Sequence, residues 1–466
     1  MQLLTFIREV LATPAILVGL VTLLGLFLQK KPVEHVIKGT VTAIVGFVLL
    51  SAGSDFLQNG ALKDFGILFN YDFQIQGVVP NMEAISSLGI ARYASGVSVM
   101  MLLGMIANII MARFGPFPFI FLTGHHTLYM ACLLTVVLHE SGMQEWQILL
   151  SGSLILGLFM SLMPKLIQKE VEKVTGNNKI AMGHFSTLGC LAAATTARLF
   201  ASRKKKSTEE IAFSKKLSFM RDSTVSIFIV TSVMFLIVSG ISASRTDLSA
   251  LNLSYQTQGS QNWIIYAVIQ GAQFSASIYI ILAGVRLVIA EIVPAFKGIA
   301  KKLVPHAKPA VDCPVLFSYA PNAVMIGFLM SFLGGIITML FLLTINQWYE
   351  PLIVPVIVPG VIAHFFCGGT AGVFANAEGG MKGCVIGSFV HGILISFLSL
   401  FVMPVLGSLN LSGTSFSDTD FCAVGILVGN LASAFPQNGI LLLSILCFAI
   451  PIIAEQRKKH RKIAEK

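Results

Sequence analysis

The feature that most restricts this chain is a succession of apolar stretches long enough to cross or enter a lipid bilayer. Eleven such segments lie at 11-29, 36-53, 94-112, 116-138, 146-164, 221-243, 262-285, 312-345, 351-377, 381-408 and 421-453, against the roughly 20 apolar residues a spanning helix needs. Residues of the set AVILMFWYC make up 55% of the chain and charged residues 12%, a balance that only lipid can solvate. The expected fold class is an all-α polytopic membrane protein with about eleven crossings, some broken or re-entrant, and a probable internal repeat. The longest polar stretch, 165-220, is interrupted by the apolar run 188-200, so no soluble domain of the usual ~100 residues fits between segments. Residues 1-466 are therefore expected to form one membrane domain, with 165-220 as a large cytoplasmic loop. The opening MQLLTFIREV lacks a charged n-region and a cleavage site, and the run after it reads as a retained helix.

The net charge of +10 bears on orientation. With eleven crossings, one set of connections holds only Arg8, Lys63, Arg92 and Arg245 of the 32 lysines and arginines. The positive-inside rule then places the N-terminus outside and the C-terminus in the cytoplasm. The RKKK run at 203-206 and RKKHRK at 457-462 are cytoplasmic flanks with an affinity for anionic headgroups. Neither has the interleaved aromatics of a nucleic-acid partner. Seven cysteines without CxxC spacing argue against a disulfide framework or a metal site, and no cofactor is expected. No GxxxxGK[ST] loop is present, so energy for transport has to come from elsewhere.

Clustered Gly, Pro and ionisable residues inside apolar segments mark a protein-lined cavity, because unsatisfied backbone and charge are costly in hydrocarbon. One cluster ends the helix at 36-57 with Ser51, Gly53, Ser54 and Asp55, which also fits a helix leaving the membrane. In RFGPFPFIFLTGHHTLYMA (113-131), Pro116 and Pro118 break the helix start ahead of His125 and His126; a membrane histidine also serves as a bridge between helices. A third, KIAMGHFSTLG (179-189), carries His184. A fourth, AVDCPVLFSYAPNAVMIGF (310-328), sets Asp312 before Pro314 and Pro321, either as a half-helix facing a ligand or as an N-cap. A fifth broken segment, 353-383, holds Pro355, Pro359, His364, Gly368, Gly369, Gly372 and Glu378, where the small residues also suit close helix packing.

Taken in order, VIKGTVTAIVGFVLLSAGS (36-54), FIFLTGHHTLYMA (119-131), AMGHF (181-185), ILAGVRLVIAEIVPAFKGIAKKLVP (281-305), AVDCPVLFSYAPNAV (310-324) and GVFANAEGGMKG (372-383) make the chain resemble a known family. It is similar to the ascorbate-type enzyme IIC permeases of the phosphoenolpyruvate-dependent sugar phosphotransferase system. That resemblance implies a homodimer whose protomers carry a sugar acid inward, for phosphorylation by a cytoplasmic IIB subunit phosphorylated on cysteine. No catalytic residue is then expected on this chain. Carried over by position, the solute contacts fall on His125, His184 and Asp312, with Ser51, Gly53 and Ser54 bordering the site. Tyr129, Phe185 and Ser51 stand where ascorbate members carry amides, which widens the solute class to ascorbate, a related sugar acid or a polyol. The alternative function is an ion-coupled secondary transporter of a small polar solute.

Overall fold

The computed structural model describes residues 14-28, 30-201, 206-210, 222-254, 262-304, 306-348 and 354-464. Helices α1 (Pro14–Leu28) and α2 (Val33–Leu57) lead through a π turn at Gln58–Leu62 into α3 (Lys63–Phe73). A first series follows: β1 (Gly77–Pro80), α4 (Met82–Phe114), β2 (Phe119–Phe121), α5 (Gly124–Glu140), α6 (Glu145–Thr175), β3 (Ala181–Met182) and α7 (Thr187–Leu199). Two helices, α8 (Ser223–Ala243) and α9 (Trp263–Leu303), separate it from a second series. That series opens with β4 (Lys308–Val311), a turn of helix at Pro314–Phe317, α10 (Pro321–Trp348) and β5 (Val356–Ile357). It continues through a turn at Val361–Ala363, a π turn at His364–Gly368, α11 (Gly369–Val402), β6 (Thr414–Ser415) and α12 (Thr419–Ala434). Helix α13 (Gln437–Ala464) comes last.

Seven helices among the described residues are long and apolar enough to cross a membrane, and α8 and α12 add shorter apolar helices. The architecture is that of an all-α polytopic membrane protein. The apolar segment 421-453 divides into α12 and α13, parted at Phe435 and Pro436. Within 165-220, α6 runs on to Thr175, and α7 buries Cys190, Ala193, Ala194 and Ala197 completely in a cluster with Phe374 and Ala375 of α11.

Four of the six strands lie where proline disfavours a helix. Pro116 and Pro118 precede β2, Pro309 lies in β4, Pro80 ends β1, and Pro355 and Pro359 flank β5. Each lacks an N–H and pushes the preceding residue toward extended backbone. Backbone left open by these breaks is paired between strands, as an apolar interior requires. The edge of β2 is completed by buried Asn108, whose amide donates to the Phe119 carbonyl at 3.0 Å and accepts from the Phe121 N–H at 3.1 Å.

Two three-stranded parallel sheets result, in the orders β5-β1-β6 and β2-β4-β3. The first strand of each series is the centre of a sheet whose outer strands are the second and third strands of the other series. The registers agree as well. Gly77 pairs with Val356 and Val79 with Thr414, while Lys308 pairs with Phe119 and Ala310 with Ala181. Laying Gly77 on Lys308 therefore lays Val356 on Phe119 and Thr414 on Ala181. Continued into the helices, this register sets Gly96 on Gly327 and Gly104 on Gly335. Gly142, in the turn between α5 and α6, and Gly380, at the kink within α11, both have positive φ. Such a reciprocal exchange is the internal repeat expected from the two broken segments.

Candidate functional site

All six strand ends and one face of α9 converge on a cavity of about 320 Å³. From the first series it is lined by Met82 and Glu83 after β1, His125, His126 and Tyr129 after β2, and His184 after β3. The second series supplies Asp312 and Pro314 after β4, Ile362, Ala363 and Phe366 after β5, and Ser417 and Asp418 after β6. Leu282, Val285 and Arg286 of α9 close the remaining side. A cavity of this size with a few convergent polar groups is the usual form of a small-molecule site.

Asp312 is the pivot. Its carboxylate lies 3.6 Å from His125 Nε2 and 3.9 Å from His184 Nε2, and its side chain stays 34% exposed. It does not cap a helix, because the following turn starts from Cys313, whose N–H donates to Asp312 Oδ1 at 2.8 Å. The imidazoles are held from behind. His184 Nδ1 is 3.0 Å from Ser186 Oγ, and His126 Nδ1 accepts the Phe185 N–H at 3.2 Å. That second contact fixes His126 as a neutral ring with its proton on Nε2. The rings of His126 and His184 have centroids 3.8 Å apart.

Two buried oxygens on the lining, the Tyr129 hydroxyl and Glu83 Oε2, have no protein partner. An unpaired buried polar group costs about 1 to 3 kcal/mol, so both are placed to be satisfied by a hydroxyl-bearing ligand. Donor atoms of His126, His184 and Asp418 lie within 4.8 Å of one another. His126 would have to give up its Nε2 proton to ligate a cation, so hydrogen bonding is the chemistry this arrangement offers directly.

The structure thus brings His125, Tyr129, His184 and Asp312 together. Phe185 lies behind the lining, fully buried, with its ring stacked on Phe121 at 4.7 Å. Gly53 faces α9, where a Cβ would meet the Ile281 nitrogen at 2.9 Å, and neither Gly53 nor Ser51 is among the residues that line the cavity. The Ser54 side chain lies outside the described ones. Glu83, Arg286, Phe366, Ser417 and Asp418 are lining residues that sequence reasoning missed. The signal available for three of them was an acid or hydroxyl at a helix start, Glu83 in the first turn of α4 in PNMEA and Ser417 and Asp418 just ahead of α12 in SFSDTD.

The profile of the PTS system sugar-specific permease component, EIIC-GAT, matches residues 9–420. An ascorbate-specific PTS system EIIC component from Mycoplasma pneumoniae is 28% identical over 438 residues, which cover 84% of this chain and 66% of that protein. The chain thus spans about two thirds of the length of that curated relative. With a family match over most of its length and long apolar helices throughout, this chain belongs to the PTS sugar-specific permease components and is a multi-pass membrane protein.

Proposed function

We propose that this chain carries L-ascorbate, or a related sugar acid or polyol, across the membrane for phosphorylation by a separate IIB subunit. The observation that carries the reading is the cavity in which Asp312 stands between His125 and His184, with the Tyr129 hydroxyl and Glu83 unpartnered beside them. A carboxylate accepts from solute hydroxyls and the imidazoles supply donors or acceptors. The ascorbate specificity in the relative's name points toward an enediol or sugar-acid solute. Phosphorylation at the inner face turns the accumulated product into a different species, so uptake needs no ion gradient.

In this reading the protein is a homodimer of single-domain protomers, N-terminus outside and C-terminus cytoplasmic. The basic stretches 165-216 and 286-308 receive IIB, since complementary charge speeds transient encounters. Lys173 and Arg198 are paired with Glu170 and Glu378, which leaves exposed Lys165, Lys169 and Lys179 as the freer cations of α6 and the turn after it. Lys204 and Lys205 lie outside the described residues. Reversing the charges of Lys204, Lys205 and Lys206 is expected to slow IIB-dependent phosphorylation severalfold at low salt. An unchanged rate would reduce that triplet to a topology signal.

The deciding experiment measures thermal stabilisation of the purified protein across a panel of L-ascorbate, sugar acids and polyols. Selective binding raises stability by RT ln(1 + [L]/Kd). Vesicles containing the protein should then accumulate solute phosphate only when phosphorylated IIB is present. Uptake of unmodified solute that collapses with the membrane potential would establish the ion-coupled alternative instead.

A further inference from the structure

Behind the cavity wall of the second series lies a buried polar cluster that solute binding as described above does not use. Ser331 of α10 places its Oγ 2.8 Å from His364 Nδ1 and 3.0 Å from His391 Nδ1. Ser331 and His391 are fully buried and His364 is 2% exposed. The three residues come from three elements: α10, the π turn at His364–Gly368, and α11 beyond its kink at Gly380. A serine hydroxyl carries one proton, so it donates to at most one of the two Nδ1 atoms, and the other ring holds the serine only by carrying its own proton on Nδ1. The cluster is therefore directional, with two different tautomers in one arrangement.

The cluster sits beside a close helix seam. Helices α10 and α11 meet along glycines: a Cβ on Gly372 would lie 2.7 Å from the Gly327 Cα, and one on Gly368 would lie 2.5 Å from the Ser331 Cβ. A seam of this kind lets backbones approach closely, with Val324 and Ile326 of α10 packed beside it against Val373 of α11, and the Ser331 bonds add directional contacts to that packing. At the matching register of the first series stands Met100, whose thioether packs over Gly152 and accepts from the Thr135 hydroxyl at 3.6 Å. There the position is filled by packing, whereas in the second series it is held by directional hydrogen bonds. His364 follows Ile362 and Ala363 directly and precedes Phe366 by two residues, and all three line the cavity.

We infer that Ser331, His364 and His391 are positioning residues, setting the lengthwise placement of the broken segment 361-366 and through it the cavity wall opposite the histidines. The placement claim stands without any solute; only its consequence for affinity rests on the proposed transport reading, and the two are measured separately.

The first arm uses a variant whose native cysteines are replaced, carrying Ile362→Cys, with the rate of labelling by a small thiol reagent as the readout. Adding Ser331→Ala or His364→Ala is expected to change that rate at least severalfold. His364→Asn, which keeps a hydrogen-bonding group near the Nδ1 position, should restore it, and Leu282→Cys on α9 should be labelled at an unchanged rate throughout. An unchanged rate at Ile362→Cys in the Ser331→Ala background overturns the inference. So does equal loss of folding in His364→Ala and His364→Asn, which would make the cluster a packing element only. The second arm measures L-ascorbate binding in a double-mutant cycle. Ser331→Ala is expected to be non-additive with Phe366→Ala and additive with Tyr129→Phe. If ascorbate does not bind the unmodified protein, the solute assignment fails while the labelling arm still decides the placement.

Discussion

Matched positions of the two series around the cavity carry different chemistry. His125 falls on Ile362, His126 on Ala363 and Tyr129 on Phe366. The contrast runs the same way after the central strands, where Glu83 falls on Pro314, and reverses only after the third strands, where Phe185 falls on Asp418. Asp312 itself falls on Asn81, whose side chain caps α4 by accepting the Ala84 N–H at 2.8 Å. A shared backbone path therefore produces the cavity's shape, and divergence of the side chains on it gives one wall of hydrogen-bonding rings and one apolar wall. In the proposed reading a solute with a hydroxyl-rich edge and a less polar face would suit them, since a polar site discriminates mainly through groups left unpaired by the wrong ligand.

The largest test of that contrast exchanges the two residues after the central strands. Asp312→Asn is expected to weaken solute binding about a hundredfold, about 2.7 kcal/mol, while the protein inserts and purifies normally. Asn81→Ala should leave the dissociation constant unchanged and lower stability by about 1 kcal/mol, the cost of a lost helix cap. Solute titration and solute-free thermal unfolding separate the two. Equal losses of affinity would show that both strand ends act on the solute and that the asymmetry is wrong.

Smaller losses are expected at the histidines. His125→Ala and His184→Ala should each weaken binding about tenfold, the loss of about 1.4 kcal/mol. His184 has Ser186 behind it to hold the ring in place, so His184→Gln should recover part of the loss. No effect from either alanine variant would detach the imidazoles from the solute.

The smallest effect separates Tyr129 from its partner in register. Removing one hydroxyl by Tyr129→Phe should cost about 1 kcal/mol of binding, roughly fivefold, without harming the fold, because that oxygen has no protein partner. Phe366→Leu should change affinity by less than about threefold. A larger loss at Phe366 than at Tyr129 in isothermal titration would move the site's specificity to the apolar wall.

The membrane class was legible from apolar run length alone, and three residues of the candidate site were marked by local chemistry as cavity residues. His125, His184 and Asp312 all sit where glycine or proline breaks an apolar run, a pattern costly in lipid unless a cavity or partner accounts for it. Those breaks depend only on the local chain, since proline restricts its own residue and the one before it. The resemblance to ascorbate-type permeases likewise rested on motifs in order, and the family match over 9–420 agrees with it.

Other features needed partners that lie far away along the chain. Glu83 and Asp418 lie far apart in the chain, and only the pairing of β6 with β1 brings them to the cavity that His125 also lines. Gly53 looked equally suited to a site by composition, yet the packing of α2 on α9 turns it toward Ile281 of that helix. The repeat itself has little residue identity to show in the sequence beyond pairs such as Gly96 with Gly327 and Gly104 with Gly335. By itself the sequence determined the membrane class, the broken segments and the central trio, because those follow from hydrophobic length and local backbone restriction. The exchange of strands, the second wall and the Ser331 cluster were decided only by tertiary structure, because strand register and side-chain pairing exist only once distant segments have met.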